Sequence, residues 1–335
     1  MSWKRLRLVL LIVLALVIVL PAIFYLLTID LSYGYTKEVE QLQLYEGQQN
    51  DGLYRLAIEE FEIKMRTAGL DNQGDNVILL HGFPQSSITW RPLLEKGSAQ
   101  GYRLIAFDQR GYSPGARPKG KENYQIDLLV QDVLDVANAM GFDTFHLVGH
   151  DWGSGVGWKT VMEHPERIKT WTGMSIPHIA TFFDAFMNHP EQQKRSSYIG
   201  LIRWPVIPEL LLSLRRDQLF SAIENVWTDE QVEEASALFG EHGALTAAMN
   251  WYRALDYEDQ EVISSLQKKV IRPTLFIWGK HDPVVAPEIV PAHKDWINAP
   301  YTELALDAGH SLMQEKTMEV LDAILDHWHL SSGSN

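Results

Sequence analysis

Apolar residues fall in four short continuous runs, Val77 to Leu80, Arg103 to Phe107, Phe145 to Val148 and Thr274 to Trp278. Continuous rather than alternating runs predict strands buried on both sheet faces. Thr170 to Met174 and Thr302 to Leu306 are weaker strand candidates. Over Asp127 to Met140 and Gln314 to His329 the apolar positions follow the helical period. Short strands alternating with amphipathic helices predict an α/β fold with a mostly parallel sheet covered by helices. Between Pro177 and about Lys269 that rhythm stops. This segment is rich in Leu, Phe, Trp and Tyr, with helix-like stretches at Glu209 to Leu219, Asp229 to Phe239 and Gly243 to Leu255. It reads as a helical cap over 177–269, inserted into a core formed by 37–176 and 270–335.

The N-terminal stretch has a different pattern. Leu8 to Leu27 is 20 residues without a charged side chain, long enough as a helix to span about 30 Å of hydrocarbon. A cleaved signal peptide would have a shorter apolar region and small residues at its cleavage site. Here Pro21-Ala22-Ile23-Phe24-Tyr25 is bulky. The expectation is therefore an uncleaved anchor over 1–36, helical from about 6 to 28, with a lipid bilayer as partner. Lys4, Arg5 and Arg7 precede the run while only Lys37 follows it closely. The positive-inside bias then places the N-terminus in the cytoplasm and the rest of this single-pass chain across the membrane.

Charge and composition narrow the partners. The 335 residues carry a formal net charge of −14, which argues against a polyanionic partner such as nucleic acid. The chain contains no cysteine, which removes disulfides, thiolate nucleophiles and Cys-based zinc sites together. His327 and His329 lie in the terminal helix pattern, two residues apart and so not on one helical face.

The chemistry-bearing motifs sit at strand ends. Gly149-His150-Asp151-Trp152-Gly153 follows the strand ending at Val148 and has the small-x-nucleophile-x-small spacing of a nucleophile elbow. The centre is Asp, not the commoner Ser. A carboxylate at a helix N-terminus stays ionised and can displace at saturated carbon to give a covalent ester. The plainer alternative is an Asp that caps the helix. Gly153, Gly155 and Gly157 lack the spacing of a dinucleotide loop, and close packing of helix on sheet accounts for them better. His81-Gly82-Phe83-Pro84 follows Val77 to Leu80. In this architecture that turn and the residue after the nucleophile supply oxyanion-hole N–H groups, assigning backbone roles to Phe83 and Trp152. Asp282, in Trp278-Gly279-Lys280-His281-Asp282-Pro283, and His310, in Ala308-Gly309-His310, follow at the ends of later strands. The order is nucleophile, acid, His.

From about Asp71 onwards the chain resembles α/β-hydrolases of the epoxide hydrolase type, and is similar to the related haloalkane and fluoroacetate dehalogenases. Asp108-Gln109-Arg110-Gly111-Tyr112-Ser113 matches that family's Asp-x-Arg-Gly-x-Gly/Ser loop. The resemblance implies two cap tyrosines whose phenols hydrogen-bond the epoxide oxygen. Asn250-Trp251-Tyr252-Arg253 looks like the family's Asn-x-Tyr-Arg motif, giving Tyr252 one role. Ser196-Ser197-Tyr198, with Pro205 seven residues on, resembles the segment carrying the other. The aromatics usual after that tyrosine are Gly200, Leu201 and Ile202 here, and Ser311 stands after His310 where an aromatic is common.

The implied reaction is attack of Asp151 on an epoxide carbon of a small hydrophobic substrate. Hydrolysis of the ester by water activated through His310 and Asp282 follows, with no metal or organic cofactor. A dehalogenase would share Asp151, His310, Asp282 and the oxyanion hole, but a departing halide needs no proton. A serine esterase is disfavoured by Asp at the elbow, since Ser154 already lies inside the helix. A third alternative, from another class, is a non-catalytic membrane-anchored protein of this fold that binds a ligand through its cap.

Overall fold

A computed structural model of the chain describes Trp3 and residues 52–214, 226–255 and 259–332. Eight strands form one sheet: β1 (Gly52–Ile58), β2 (Phe61–Ala68), β3 (Asn76–Leu80), β4 (Arg103–Phe107), β5 (Phe145–His150), β6 (Ile168–Met174), β7 (Thr274–Gly279) and β8 (Tyr301–Leu306). Their spatial order is β1-β2-β4-β3-β5-β6-β7-β8. β1 and β2 pair antiparallel, as do β2 and β4, and every pairing from β4 to β8 is parallel. This is the α/β-hydrolase fold expected from the sequence.

The helices are α1 (Arg91–Ala99), α2 (Ile126–Ala139), α3 (Trp152–Glu163), then α4 (Ile179–Asn188), α5 (Pro190–Arg195), α6 (Ser197–Ile202), α7 (Ile207–Leu214), α8 (Asp229–Gly240), α9 (Ala244–Ala254) and α10 (Gln260–Ser265), and finally α11 (Leu312–Glu315) and α12 (Thr317–Ser332). The unbroken apolar runs are explained by burial on both faces. Ile78 and Leu80 of β3 pack with α2 and α3, while Val77 and Leu79 pack with α1 and α12. Helices α4 to α10 all fall between β6 and β7.

Several expectations are adjusted. Gln314 to His329 is not one helix, because Lys316 separates α11 from α12. The stretch expected at Glu209 to Leu219 is helical as α7 to Leu214, and its remainder lies outside the described residues. A Cβ on Gly157 would come within 2.0 Å of the Trp171 ring, so close packing explains that glycine, whereas one on Gly155 would meet nothing within 4 Å.

The largest correction concerns the membrane. The Leu8 to Leu27 run lies outside the described residues. Among the described residues no helix is long and apolar enough to cross a membrane. The longest, α12, has 16 residues and carries Glu319, Asp322 and Asp326, against the roughly 20 apolar residues a span requires. The expectations of a single-pass chain, of a body on the far side and of a lipid bilayer partner are not supported.

β1 and β2 have no counterpart in the sequence reading, and the reason is physical. In β2 the apolar Ile63 and Met65 alternate with Lys64 and Arg66, yet all four are buried. The two cations meet buried carboxylates. Arg66 donates to both oxygens of Glu234 on α8, one contact at 3.0 Å, and Lys64 Nζ lies 3.2 Å from Asp108 Oδ2 and 3.4 Å from Glu234 Oε1. This cluster fastens the cap helix α8 to the antiparallel edge of the sheet.

Candidate active site

Parallel strands deliver their C-terminal ends to one edge, and five of them end in a residue of the site. Beyond β3 comes His81-Gly82-Phe83, beyond β5 Asp151, beyond β6 Ser175, beyond β7 Asp282 and beyond β8 His310.

Asp151 sits on the turn from β5 into α3 with φ 54 and ψ −121, a conformation that costs a non-glycine residue of order 1–3 kcal/mol. The turn is possible because its neighbours are small. A Cβ on Gly149 would lie 2.2 Å from Gly153 O, and one on Gly153 would lie 2.2 Å from Leu80 O. Asp151 occupies the N-cap position of α3, but its side chain makes no capping hydrogen bond. Its carboxylate is turned instead to the strand ends. Phe83 N donates to Oδ1 at 2.8 Å, and the backbone N–H of Trp152 also donates to the carboxylate. Oδ2 faces His310 Nε2 at 3.4 Å.

On the other side of the imidazole, His310 Nδ1 lies 2.8 Å from Asp282 Oδ2. Asp282 is held in turn, its Oδ1 accepting from Val284 N at 2.7 Å and Val285 N at 3.2 Å. Two cap residues on α5 clamp the same loop. Gln192 accepts from Ala286 N at 2.8 Å and donates to Val284 O at 2.9 Å, and Arg195 donates to Asp282 O.

Charge states follow from this layout. Burial pushes the Asp151 carboxyl up, but the hydrogen bond and charge of His310, with His150 and the Trp152 N–H, outweigh it and hold the group below its usual value. Burial likewise opposes ionisation of Asp282, and the His310 charge with the Ser175 and Val284 donors brings it down to about 2. For His310 burial is unfavourable to the cation, yet the flanking Asp282 and Asp151 raise it to about 10. The resting site is an imidazolium between two carboxylates. His150 behaves oppositely. Burial and the neighbouring His310 charge lower it to about 4, and its neutral ring donates from Nε2 to His310 O at 2.8 Å.

The cap covers this arrangement. Tyr252 on α9 is buried edge-on against Phe83 and Trp152, with ring centroids 5.8 and 4.9 Å away. Burial first, then the nearby Tyr198 and Asp151, raise its phenol well above the ordinary value, so it stays protonated. Tyr198 on α6 has its ring centroid 6.3 Å from that of Tyr252. Arg253 explains the motif around Tyr252. It pairs with Glu209 at 2.7 Å and donates to Ile202 O and Trp204 O, tying α9 to the segment that carries Tyr198. Among the apolar residues of the cap, Phe186 and Leu212 join the cluster around Tyr252, Met249 and Ile199. Phe182 and Phe183 pack in the main core instead, and Trp204 is 60 % exposed.

All seven residues singled out from the sequence therefore converge: Asp151, His310, Asp282, Tyr252, Tyr198, and the backbones of Phe83 and Trp152. Sequence reasoning missed Ser175, His150, Gln192 and Arg195. Only His150 carried a signal, its place inside the elbow. Among the described residues no group of three or more His, Cys, Asp or Glu is arranged to hold a metal ion.

With this geometry in view, residues 75–317 match the model of the α/β hydrolase fold family, and the chain belongs to that family. It is a hydrolase whose relatives include epoxide hydrolases. It is 34 % identical over 284 residues to Epoxide hydrolase 3 of Xenopus tropicalis, covering 79 % of this chain and 76 % of that one. It is 28 % identical to Epoxide hydrolase A of Mycobacterium tuberculosis, covering 75 % and 89 %. Among solved structures it is similar to a mutant epoxide hydrolase from Bacillus megaterium complexed with its naphthyloxy-propanediol product. That match has a TM-score of 0.72 and 26 % identity, over 82 % of this chain and 100 % of the other.

Proposed function

We propose that the protein hydrolyses hydrophobic epoxides to vicinal diols through a covalent ester on Asp151, in a site formed between a core of 37–176 and 270–335 and a cap of 177–269. The observation that carries this reading is the position of the Asp151 carboxylate. It is aimed by the Phe83 N–H, free of any capping role, faces His310 at 3.4 Å and lies near the Tyr252 phenol, whose proton its charge helps to hold.

In the first step Asp151 Oδ2 attacks one epoxide carbon. The carbon–oxygen bond of the ring breaks, and its electron pair goes to oxygen, which takes a proton from Tyr252 or Tyr198. An alkoxide is a poor leaving group at neutral pH, so this acid assistance is needed. Oδ1 becomes the ester carbonyl oxygen and already lies in the hole formed by Phe83 and Trp152. The proton on His310 returns through solvent to the phenolate, which the loss of the Asp151 charge favours. Neutral His310, oriented by Asp282, then takes a proton from water while hydroxide attacks the ester carbonyl carbon. The oxyanion gathers at the two N–H groups, each donor of this kind being worth about 2.7–4 kcal/mol. Collapse expels the diol oxygen, which takes the proton back from His310, and the carboxylic acid left on Asp151 passes its proton to His310, restoring the resting pair.

An epoxide is favoured over a carbon–halogen bond because the buried Tyr252 phenol is kept protonated beside Asp151, a proton source that a departing epoxide oxygen needs and a halide does not. The apolar side chains around the phenols, Phe83, Trp152, Phe186, Met249 and Leu245, support a hydrophobic substrate. The test is product analysis with a panel of aryl and alkyl epoxides alongside chloroalkanes. Diol from the epoxides, lost in Asp151→Ala, is expected. Halide release without diol would overturn the assignment.

A further inference from the structure

Ser175 is fully buried immediately after β6, and its φ of 69 lies in the left-handed region. Glycine would occupy this position without strain, yet the residue carries a hydroxyl, and that hydroxyl points at the charge relay. Its Oγ is 2.6 Å from Asp282 Oδ2 and 2.8 Å from His310 Nδ1, which are themselves 2.8 Å apart. Three polar atoms thus form a closed triangle. The backbone pins it in place, since Ser175 N donates to Ile277 O at 2.9 Å on β7, the strand that leads to Asp282.

Counting protons settles the roles within the triangle. The ionised Asp282 oxygen can only accept, so the Ser175 hydroxyl donates to it. The serine lone pairs then face Nδ1, which must be the protonated nitrogen of the neutral ring. The opposite tautomer would set a nitrogen lone pair against both a carboxylate and a hydroxyl oxygen. Nε2 is left as the basic atom, directed at the Asp151 side.

We infer that Ser175 is a positioning residue for the hydrolytic half-reaction, holding His310 in the tautomer and orientation that activate water against the Asp151 ester. The inference rests on the covalent mechanism proposed above. Ester formation needs only the Asp151 carboxylate and the phenols, so it proceeds at its usual rate without Ser175, whereas ester breakdown slows.

The experiment compares wild type with Ser175→Ala and Ser175→Gly, using styrene oxide as probe in rapid-quench mass spectrometry and steady-state kinetics. Ser175→Gly removes the hydroxyl while relieving the backbone, so it stands in if the alanine variant fails to fold. The expected result is an alkylated Asp151 peptide that accumulates during turnover. Both kcat and KM should fall together, on the order of tenfold to a hundredfold, the size of losing one hydrogen bond to a charged group. The ratio kcat/KM should change little, and the acid limb of the kcat pH profile should move. Unchanged kcat overturns the inference, as does equal slowing of ester formation and breakdown in folded protein. An ester found neither in quenched wild type nor in His310→Gln would refute the assignment of Asp151 itself, a distinct outcome.

Discussion

Replacing Asp151 by Asn mimics the electrical state of the alkylated enzyme, because the amide, like the ester, is neutral and nearly the same shape. His310 Nε2 lies 3.4 Å from the carboxylate oxygen that would be lost. A unit charge at that distance interacts by about 5 kcal/mol at an effective dielectric of ~20, and by roughly half that with the partial exposure of this imidazole. Divided by about 1.4 kcal/mol per tenfold, these bounds lower the His310 pKa by roughly 2–3.5 pH units. His310, pushed up to about 10 in the resting site, should therefore titrate at roughly 6.5–8 in Asp151→Asn. The assay is NMR titration of the His310 ring in both proteins. Stability offers an independent readout. A raised folded-state value contributes stability that is fully present below the unfolded pKa of about 6.5 and is lost as pH rises through the folded one. Thermal melts of wild type should thus decline between about pH 6.5 and 10, and that decline should be compressed in the variant. If His310 titrates at the same pH in both proteins, ester formation does not release the imidazole proton and the proposed coupling between the two half-reactions fails.

Further outcomes follow from individual contacts. Tyr252→Phe removes a proton donor from the alkylation step and should slow ester formation by about 10²–10⁴-fold, with breakdown of preformed ester little changed in quenched single-turnover runs. Glu234→Gln leaves the buried Arg66 without its carboxylate, Lys64 retaining Asp108, and should cost about 3–5 kcal/mol in urea unfolding. A loss below 1 kcal/mol would show that the cap does not depend on this cluster. On the acid side, Asp282 is held down at about 2. The stability it contributes is present above about pH 4 and is expected to disappear as pH falls towards 2, measurable as a falling denaturation midpoint that Asp282→Asn abolishes.

How much of this was legible in the chain depends on which physical rule each residue obeys. The central strands were visible because burial on both faces writes an unbroken apolar run such as Val77 to Leu80. The elbow was visible because a strained turn admits only small neighbours, and the acid and His because their strands precede them in order. β1 and β2 were not visible, since Lys64 and Arg66 read as solvent-facing until Glu234 and Asp108 are brought to them by tertiary contact. Ser175 left no trace for the same reason, a serine at a strand end being common and its φ a property of the folded backbone. Gln192 and Arg195 act on the backbone of a loop some 90 residues away, which no local pattern encodes. The apolar N-terminal run predicted a membrane span that no described helix supplies.

The direct test of the central claim is a single turnover of excess enzyme with styrene oxide in water enriched in oxygen-18. If Asp151 forms the ester and water attacks its carbonyl carbon, the label enters the Asp151 carboxylate, and the diol released in that first turnover carries only the enzyme's unlabelled oxygen. Label appearing at once in the diol, with none in the Asp151 peptide, would contradict the account.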